Sequence, residues 1–376
     1  MIPRGLSLLF LMSLSSVLAS SQRVYIGTYT RSGTSAGIYS LELDTGNGTL
    51  TTPRVAAELR DPTFLDLSPD GTVLHAGTDY GAGPDGRSVG GVNSYRVQDD
   101  GSLRLISAQP IAAPGSPCHV TSSPDGKLVV AVQYNAAWVA SLPVAGDGGL
   151  KEFASLTTHE GPLGPQKDRQ DKPHAHSAVF AADGRHVYVC DLGMDRIKVY
   201  APDVATGDLV PAGEGRSAPG AGPRHSRPSA DGRFLYVLNE LASSVDVFAL
   251  SEGGTKLECI QTLSSLPADF KGGNTCAEIR IHPNGRFVYA SNRGADLLTV
   301  FARDPQSGRL TLVQHLSSGG AHPRNFTLSP DGAWLLCANR DSDNVVVFHV
   351  DPQTGRLSPN GQVAKVPQAV CVLFAR

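Results

Sequence analysis

The chain contains no Gly-x-Ser-x-Gly elbow, no His-Glu-x-x-His pair and no glycine-rich loop placed to cradle a phosphate. Nucleophilic-elbow serine chemistry and nucleotide-dependent chemistry are therefore unsupported. Cys-x-x-Cys is also missing. Six cysteines stand at 118, 190, 259, 276, 337 and 371 with no zinc-like spacing. Only 18% of residues are charged, the net charge is −3, and no basic run or aromatic–basic interleaving occurs. A nucleic-acid partner is not expected from such a balance. Beyond residue 19 no apolar run approaches the ~20 residues of a membrane span. Stable membrane insertion is not expected either.

The first 19 residues differ from the rest. Arg4 precedes an apolar run from Leu6 to Leu18, and Val17-Leu18-Ala19 offers small residues at a cleavage position. That pattern predicts a secretory signal peptide over 1–19 and an exported domain over 20–376, periplasmic or secreted. An even cysteine count in an exported chain permits disulfides. However, Cys190 and Cys337 lie inside strand-like runs, where cysteine usually acts as a small buried hydrophobe, so mostly free thiols are expected.

What is abundant is turn residue: 41 Gly and 26 Pro. Six turns of one kind recur, ending in Gly71, Gly126, Gly184, Gly232, Gly285 and Gly332, each preceded by Asp or Asn. A second turn, closed by Leu50, Leu103, Leu150, Leu209, Leu257, Leu310 and Leu357, recurs seven times. A period of roughly 50 residues built from short strands and tight turns predicts an all-β fold, a β-propeller of four-stranded antiparallel blades. The mismatch between six and seven is resolved at the ends of the chain. Val24 to Tyr29 reads as a second strand, Gly37 to Leu43 as a third, and Ala369 to Phe374 as a first. Seven blades follow, with one blade closed by strands from both termini so that no sheet edge is left open.

Register then predicts where chemistry collects. In each unit the first strand begins, and the second ends, at the same rim. Counting back eight residues from the turn Gly gives Thr63, Cys118, His176, Arg224, Ala277 and Arg324. Counting back seven gives Phe64, His119, Ser177, His225, Glu278 and Asn325. Counting forward eight gives Asp79, Tyr134, Leu192, Glu240, Arg293 and Arg340. Such residues can pair with one another to hold neighbouring blades. As a set they favour a site for a small anionic or polyhydroxylated ligand, because clustered arginines need an anion or several carboxylates. His174-Ala175-His176 has the i, i+2 spacing of a metal pair, but no third ligand is evident. Hydrogen bonding or acid–base work is placed ahead of metal binding. The loop 161–173, with Arg169-Gln170, is the largest departure from the repeat and is expected to form a lid or wall over the funnel.

The rim segments, taken in order, resemble the seven-bladed lactonase family, which holds propeller-type 6-phosphogluconolactonases and carboxymuconate-lactonising cycloisomerases. The resemblance rests on Tyr25 to Thr30, Arg169-Gln170, Pro173 to His176, Asp191 to Gly193 with Asp195-Arg196, Gly222 to His225, Asn239 to Leu241, Ser291 to Gly294 and Pro323-Arg324. In the lactonising branch the funnel site is built from one His, two Arg and one Glu. By motif these fall on His176, Arg224, Glu240 and Arg293, the same four that the register count brings to the rim. The resemblance implies a hydrolase acting on a sugar lactone or sugar acid in carbohydrate metabolism, with no cofactor and no metal. Glu240 or His176 is the expected base. Arg224 and Arg293 are expected to hold the oxyanion, and His119, His174, His225, Arg324 and Glu278 to help bind substrate. Lactonisation of a muconate-type substrate and a non-catalytic binding propeller are the alternatives. An exported chain sits poorly with a cytoplasmic phosphorylated substrate.

Overall fold

The computed structural model describes residues 21–83, 86–203 and 205–375. The expected leader lies outside them. The strands form seven four-stranded antiparallel sheets. Six are continuous in sequence and span 64–114, 119–158, 175–216, 223–264, 275–317 and 323–365. The seventh joins the C-terminal strand Ala369–Phe374 to Ser21–Thr28, Gly37–Asp44 and Arg54–Glu58. Val24 pairs with Phe374 and Ile26 with Val372, so both ends of the chain close one blade. The first strands of successive blades touch all the way round and line a central channel.

Local sequence explains the repeat. At the hairpin turns the glycines adopt φ of 67 to 75°, a left-handed conformation that Gly reaches without a side-chain clash. The preceding Asp or Asn accepts from the backbone two residues on, as Asp70 does from Thr72. The apolar faces then pack blade on blade. Phe234, Tyr236 and Val247 meet Ile279, Val288 and Phe301 of the next blade, and all six are buried. Each such side chain stabilises the fold by about 1.5–3 kcal/mol on burial. A tyrosine on the second strand adds a polar staple. The hydroxyls of Tyr188, Tyr236 and Tyr289 donate to the carbonyls of Gly254, Gly308 and Gly355, each in the following blade.

Candidate functional site

The strand starts are not regular, and that irregularity builds the site. The ladder slips by one residue between Ala175 and Ser177, between Pro223 and His225, and between Pro323 and Asn325. The residues left out of pairing are His176, Arg224 and Arg324. A similar slip between Cys276 and Ile279 spans Ala277 and Glu278. A β-bulge of this kind re-aims a side chain. It lets consecutive residues such as Arg224 and His225 both turn toward the channel, which a flat strand would point to opposite faces.

Above the bulges opens a cavity of about 620 Å³, lined by Tyr29, Arg31, Gln133, Tyr134, Arg169, His176, Glu240, Arg293, Arg324 and Arg340, among others. Glu240 is its centre of charge. Its Oε2 lies 2.9 Å from Arg293 Nη2 and 2.9 Å from Arg224 Nε, and its Oε1 accepts from Arg169 Nη2 at 2.5 Å. The Arg224 contact is close but lies off the line of a hydrogen bond. Burial opposes ionisation of Glu240, yet Arg293 and Arg224, followed by His176 and Arg169, outweigh it and hold the carboxyl well below the usual range. Burial, then Arg293 and Arg324, pushes Arg224 down to about 9 against the pull of Glu240, so it stays cationic at neutral pH.

His176 is buried between the rings of Tyr134 and His225, 5.3 and 5.4 Å away, and its Nδ1 has no hydrogen-bond partner. Burial first, and then Arg224 and His225, hold the ring well below the ordinary histidine range. At neutral pH the imidazole is uncharged. Arg31 is paired with Asp61 and Asp79, and Arg340 with Asp341. Among the described residues Arg324 has no carboxylate partner, and its guanidinium lies 5.4 Å over the Tyr29 ring. The cavity therefore carries an excess of positive charge suited to an anion.

Of the nine residues expected from sequence, His176, Glu240, Arg293 and Arg324 line this cavity. Arg224 lies in the neck beneath it, beside His225, Arg324 and Asn325. His119, His225 and Glu278 form a deeper layer. His119 packs on Phe64 with ring centres 3.8 Å apart, and neither of its nitrogens has a partner. It lines a second cavity, of about 380 Å³, at the turn end of the channel. His174 faces away from the funnel: it stacks on Tyr134 at 4.2 Å, and its two nitrogens lie 3.0 Å from the Tyr134 carbonyl and from Asp171. Among the described residues no three His, Cys, Asp or Glu side chains converge as metal ligands.

The loop 161–173 does form a wall. Gln170 is buried and donates to Leu192 O and Asp195 Oδ1 at 2.9 and 2.8 Å, which delivers its neighbour Arg169 to Glu240. Nothing in the sequence around Arg169 assigns it a partner, and Tyr134 and Arg340 hold the same register position as Glu240 and Arg293. Tyr29 and Arg31 escaped the count because they follow the blade-closing strand Ser21–Thr28, which has no hairpin turn before it.

Comparison with known proteins agrees with this architecture. The family model described as Lactonase, 7-bladed beta-propeller matches residues 23–374. The chain is 37% identical to 6-phosphogluconolactonase of Bacillus subtilis over 303 residues, 80% of this chain and 83% of that one. It is 33% identical to 6-phosphogluconolactonase of Serratia proteamaculans over 261 residues, 69% of this chain and 70% of the relative. Among solved structures, a periplasmic gluconolactonase of Pseudomonas aeruginosa superposes with a TM-score of 0.87 at 36% identity, over 95% of this chain and 99% of that one. With a seven-bladed family model spanning residues 23–374 and relatives of this identity and coverage, the chain belongs to the seven-bladed β-propeller lactonase family.

Proposed function

We propose that this protein hydrolyses a sugar lactone at the bulged end of the channel, preferring one that carries an acidic group. One observation carries the assignment of roles. The one carboxylate among the described residues lining the cavity, Glu240, is saturated by three guanidinium groups, whereas His176 lines the same cavity as a neutral ring with no carboxylate partner among the described residues. A carboxylate whose two oxygens are both engaged by guanidinium groups has little left to offer an incoming proton. Glu240 instead fixes the arginines, and His176 is the base.

In this reading the cavity-facing edge of the His176 imidazole takes a proton from water as the water oxygen attacks the lactone carbonyl. The developing oxyanion is stabilised by Arg293 and Arg224, whose positions are set before substrate arrives. Collapse breaks the ring C–O bond, and the proton on His176 passes to the departing alkoxide oxygen. The product is the open hydroxy acid. Arg324, free of any carboxylate partner among the described residues, is placed to hold the acidic group of the substrate. The relatives named 6-phosphogluconolactonase and gluconolactonase support the substrate class.

We further place the mature protein outside the cytoplasm, in the company of the periplasmic relative, with the leader removed near Ser20. N-terminal sequencing of the exported protein checks this. Recovery of intact Met1 on soluble intracellular protein would refute it.

The test of activity is a panel of sugar, phosphosugar and muconate-type lactones offered to the mature chain. His176→Ala should lower turnover by about 10²- to 10⁴-fold, the usual contribution of a general base. The acid limb of the wild-type pH profile should lie below the ordinary histidine range, because burial and Arg224 disfavour the imidazolium. No hydrolysis across the panel, or an unaffected His176→Ala variant, would defeat the reading.

A further inference from the structure

We infer that His225 is a positioning residue, held by Glu278, that sets the orientation of the Arg224 guanidinium in the neck of the site. The inference rests on the lactonase reading for what Arg224 does, and on geometry alone for how Arg224 is held.

Arg224 Nη1 lies 3.0 Å from His225 Nε2 and also donates to the carbonyl of Ala277. A guanidinium has donors only, so Nε2 must be the acceptor and the ring proton must sit on Nδ1. That proton is donated to Glu278 Oε2 at 3.2 Å. Glu278 cannot move in response. Its Oε2 also accepts from Asn325 Nδ2 at 2.6 Å, and its Oε1 from Arg227 Nη2 at 3.0 Å. Asn325 is in turn tied to the closing strand, accepting from Val372 N at 2.9 Å. The relay thus runs through three consecutive blades and ends on the seventh.

The consequence is local. With Nη1 fixed below and Nε close to Glu240 but off the line of a hydrogen bond, neither Nε, which is buried, nor Nη2 has a hydrogen-bond partner among the described residues. If the acceptor on His225 is lost, Nη1 keeps only the Ala277 carbonyl and can pivot about it toward Glu240, which changes the fork presented to the ligand. The groups facing His225 are Arg224, Arg227, Arg280 and Arg324 on one side of the charge balance and Glu278 on the other. A second proton on the ring would point at Arg224, so the relay requires the neutral Nδ1–H form.

The test uses the mature chain, with gluconate and 6-phosphogluconate as calorimetric probes beside lactone kinetics. His225→Phe keeps a ring against Phe64, His119 and His176 but removes the acceptor. Affinity and kcat/KM should fall about 10- to 100-fold, the value of one hydrogen bond to a charged group. His225→Gln, which returns an acceptor near the Nε2 position, should recover most of that loss. In an Arg224→Ala background, His225→Phe should do nothing further. Equal losses in the Phe and Gln variants, or an undiminished loss without Arg224, would overturn the inference. Nitrogen-15 spectra of the histidines supply an arm that needs no ligand: His225 should show the Nδ1–H tautomer from pH 6 to 8. An Nε2–H or doubly protonated ring refutes the relay even if the protein proves to bind no sugar acid at all. The correct tautomer in a protein that turns over no lactone leaves the relay standing and removes only the lactonase reading.

Discussion

Glu240 and Glu278 are both buried carboxylates, they come from neighbouring blades, and each is surrounded by guanidinium groups. Glu240 meets Arg169, Arg224 and Arg293. Glu278 meets Arg227 and Arg280, with His225 and Asn325 completing its shell. The difference lies in access. The Glu240 carboxylate lines the cavity of about 620 Å³ and draws one arginine from a loop that belongs to no blade. The Glu278 carboxylate is fully buried among strand residues and tied through Asn325 to the last strand of the chain, while its arginines Arg227 and Arg280 reach the separate turn-end cavity. Concentrated charge alone therefore does not mark a reactive site. The same chemistry binds blade to blade where strand residues take up the carboxylate, and in the proposed reading serves a ligand where a bulge and a loop leave donors unspent.

The largest effect should come from breaking the closed cluster at its outermost link. Deleting residues 367–376 removes the strand Ala369–Phe374 and the Val372 contact that holds Asn325. The opened blade exposes unpaired strand edges. Loss of cooperative unfolding, or aggregation, is expected by calorimetry and light scattering. A soluble truncated protein with an unchanged melting temperature would show that closure and the Glu278 cluster are independent.

A matched pair of substitutions compares the two sites directly. Glu278→Gln removes the counter-charge of Arg227 and Arg280 from a fully buried position and should cost about 3–5 kcal/mol of stability. Glu240→Gln frees Arg169, Arg224 and Arg293 beside the cavity that takes the ligand in the proposed reading, so its loss of turnover should be the larger. Denaturant titration and lactone kinetics on the same preparations decide it, and the contrast fails if the two variants lose turnover equally.

The smallest effect is one of pH. His119 is kept well below the normal histidine range by burial first and then by His225 and Arg227. The unfolded chain therefore takes up this proton before the native state does, and stability falls as pH drops below about 6.5. His119→Phe preserves the stack on Phe64 and removes the titrating group. Between pH 6 and 5 the slope of unfolding free energy should flatten by about one proton, ~1.4 kcal/mol per pH unit. An unchanged slope would mean that His119 is already protonated in its cavity.

The strands were legible because hairpins are written locally. Asp-Gly and Asn-Gly turns fix φ at one residue, and apolar alternation fixes the faces. The terminal strands Ser21–Thr28 and Ala369–Phe374 matched interior ones closely enough to show that they share a blade. The register count also brought His176, Glu240, Arg293 and Arg324 to one cavity, because hairpin geometry alone sends strand ends of equal offset to the same rim.

What the count could not supply was the state of each side chain. His174 immediately precedes the strand that carries His176, yet it spends both nitrogens on Tyr134 and Asp171. Arg169 reaches the site only because Gln170, its neighbour, is gripped by Leu192 and Asp195 from elsewhere in the chain. His225 and Glu278 lie one layer below the cavity because the bulges at Arg224 and at Ala277–Glu278 shift the alternation. Sequence by itself determined the blade count, the closure of the ring and the rim on which polar residues gather, since each depends on turns and periods within one repeat. Only the tertiary structure decided which donors and acceptors remain free, since hydrogen-bond saturation is set by partners that other blades and the loop bring within about 3 Å.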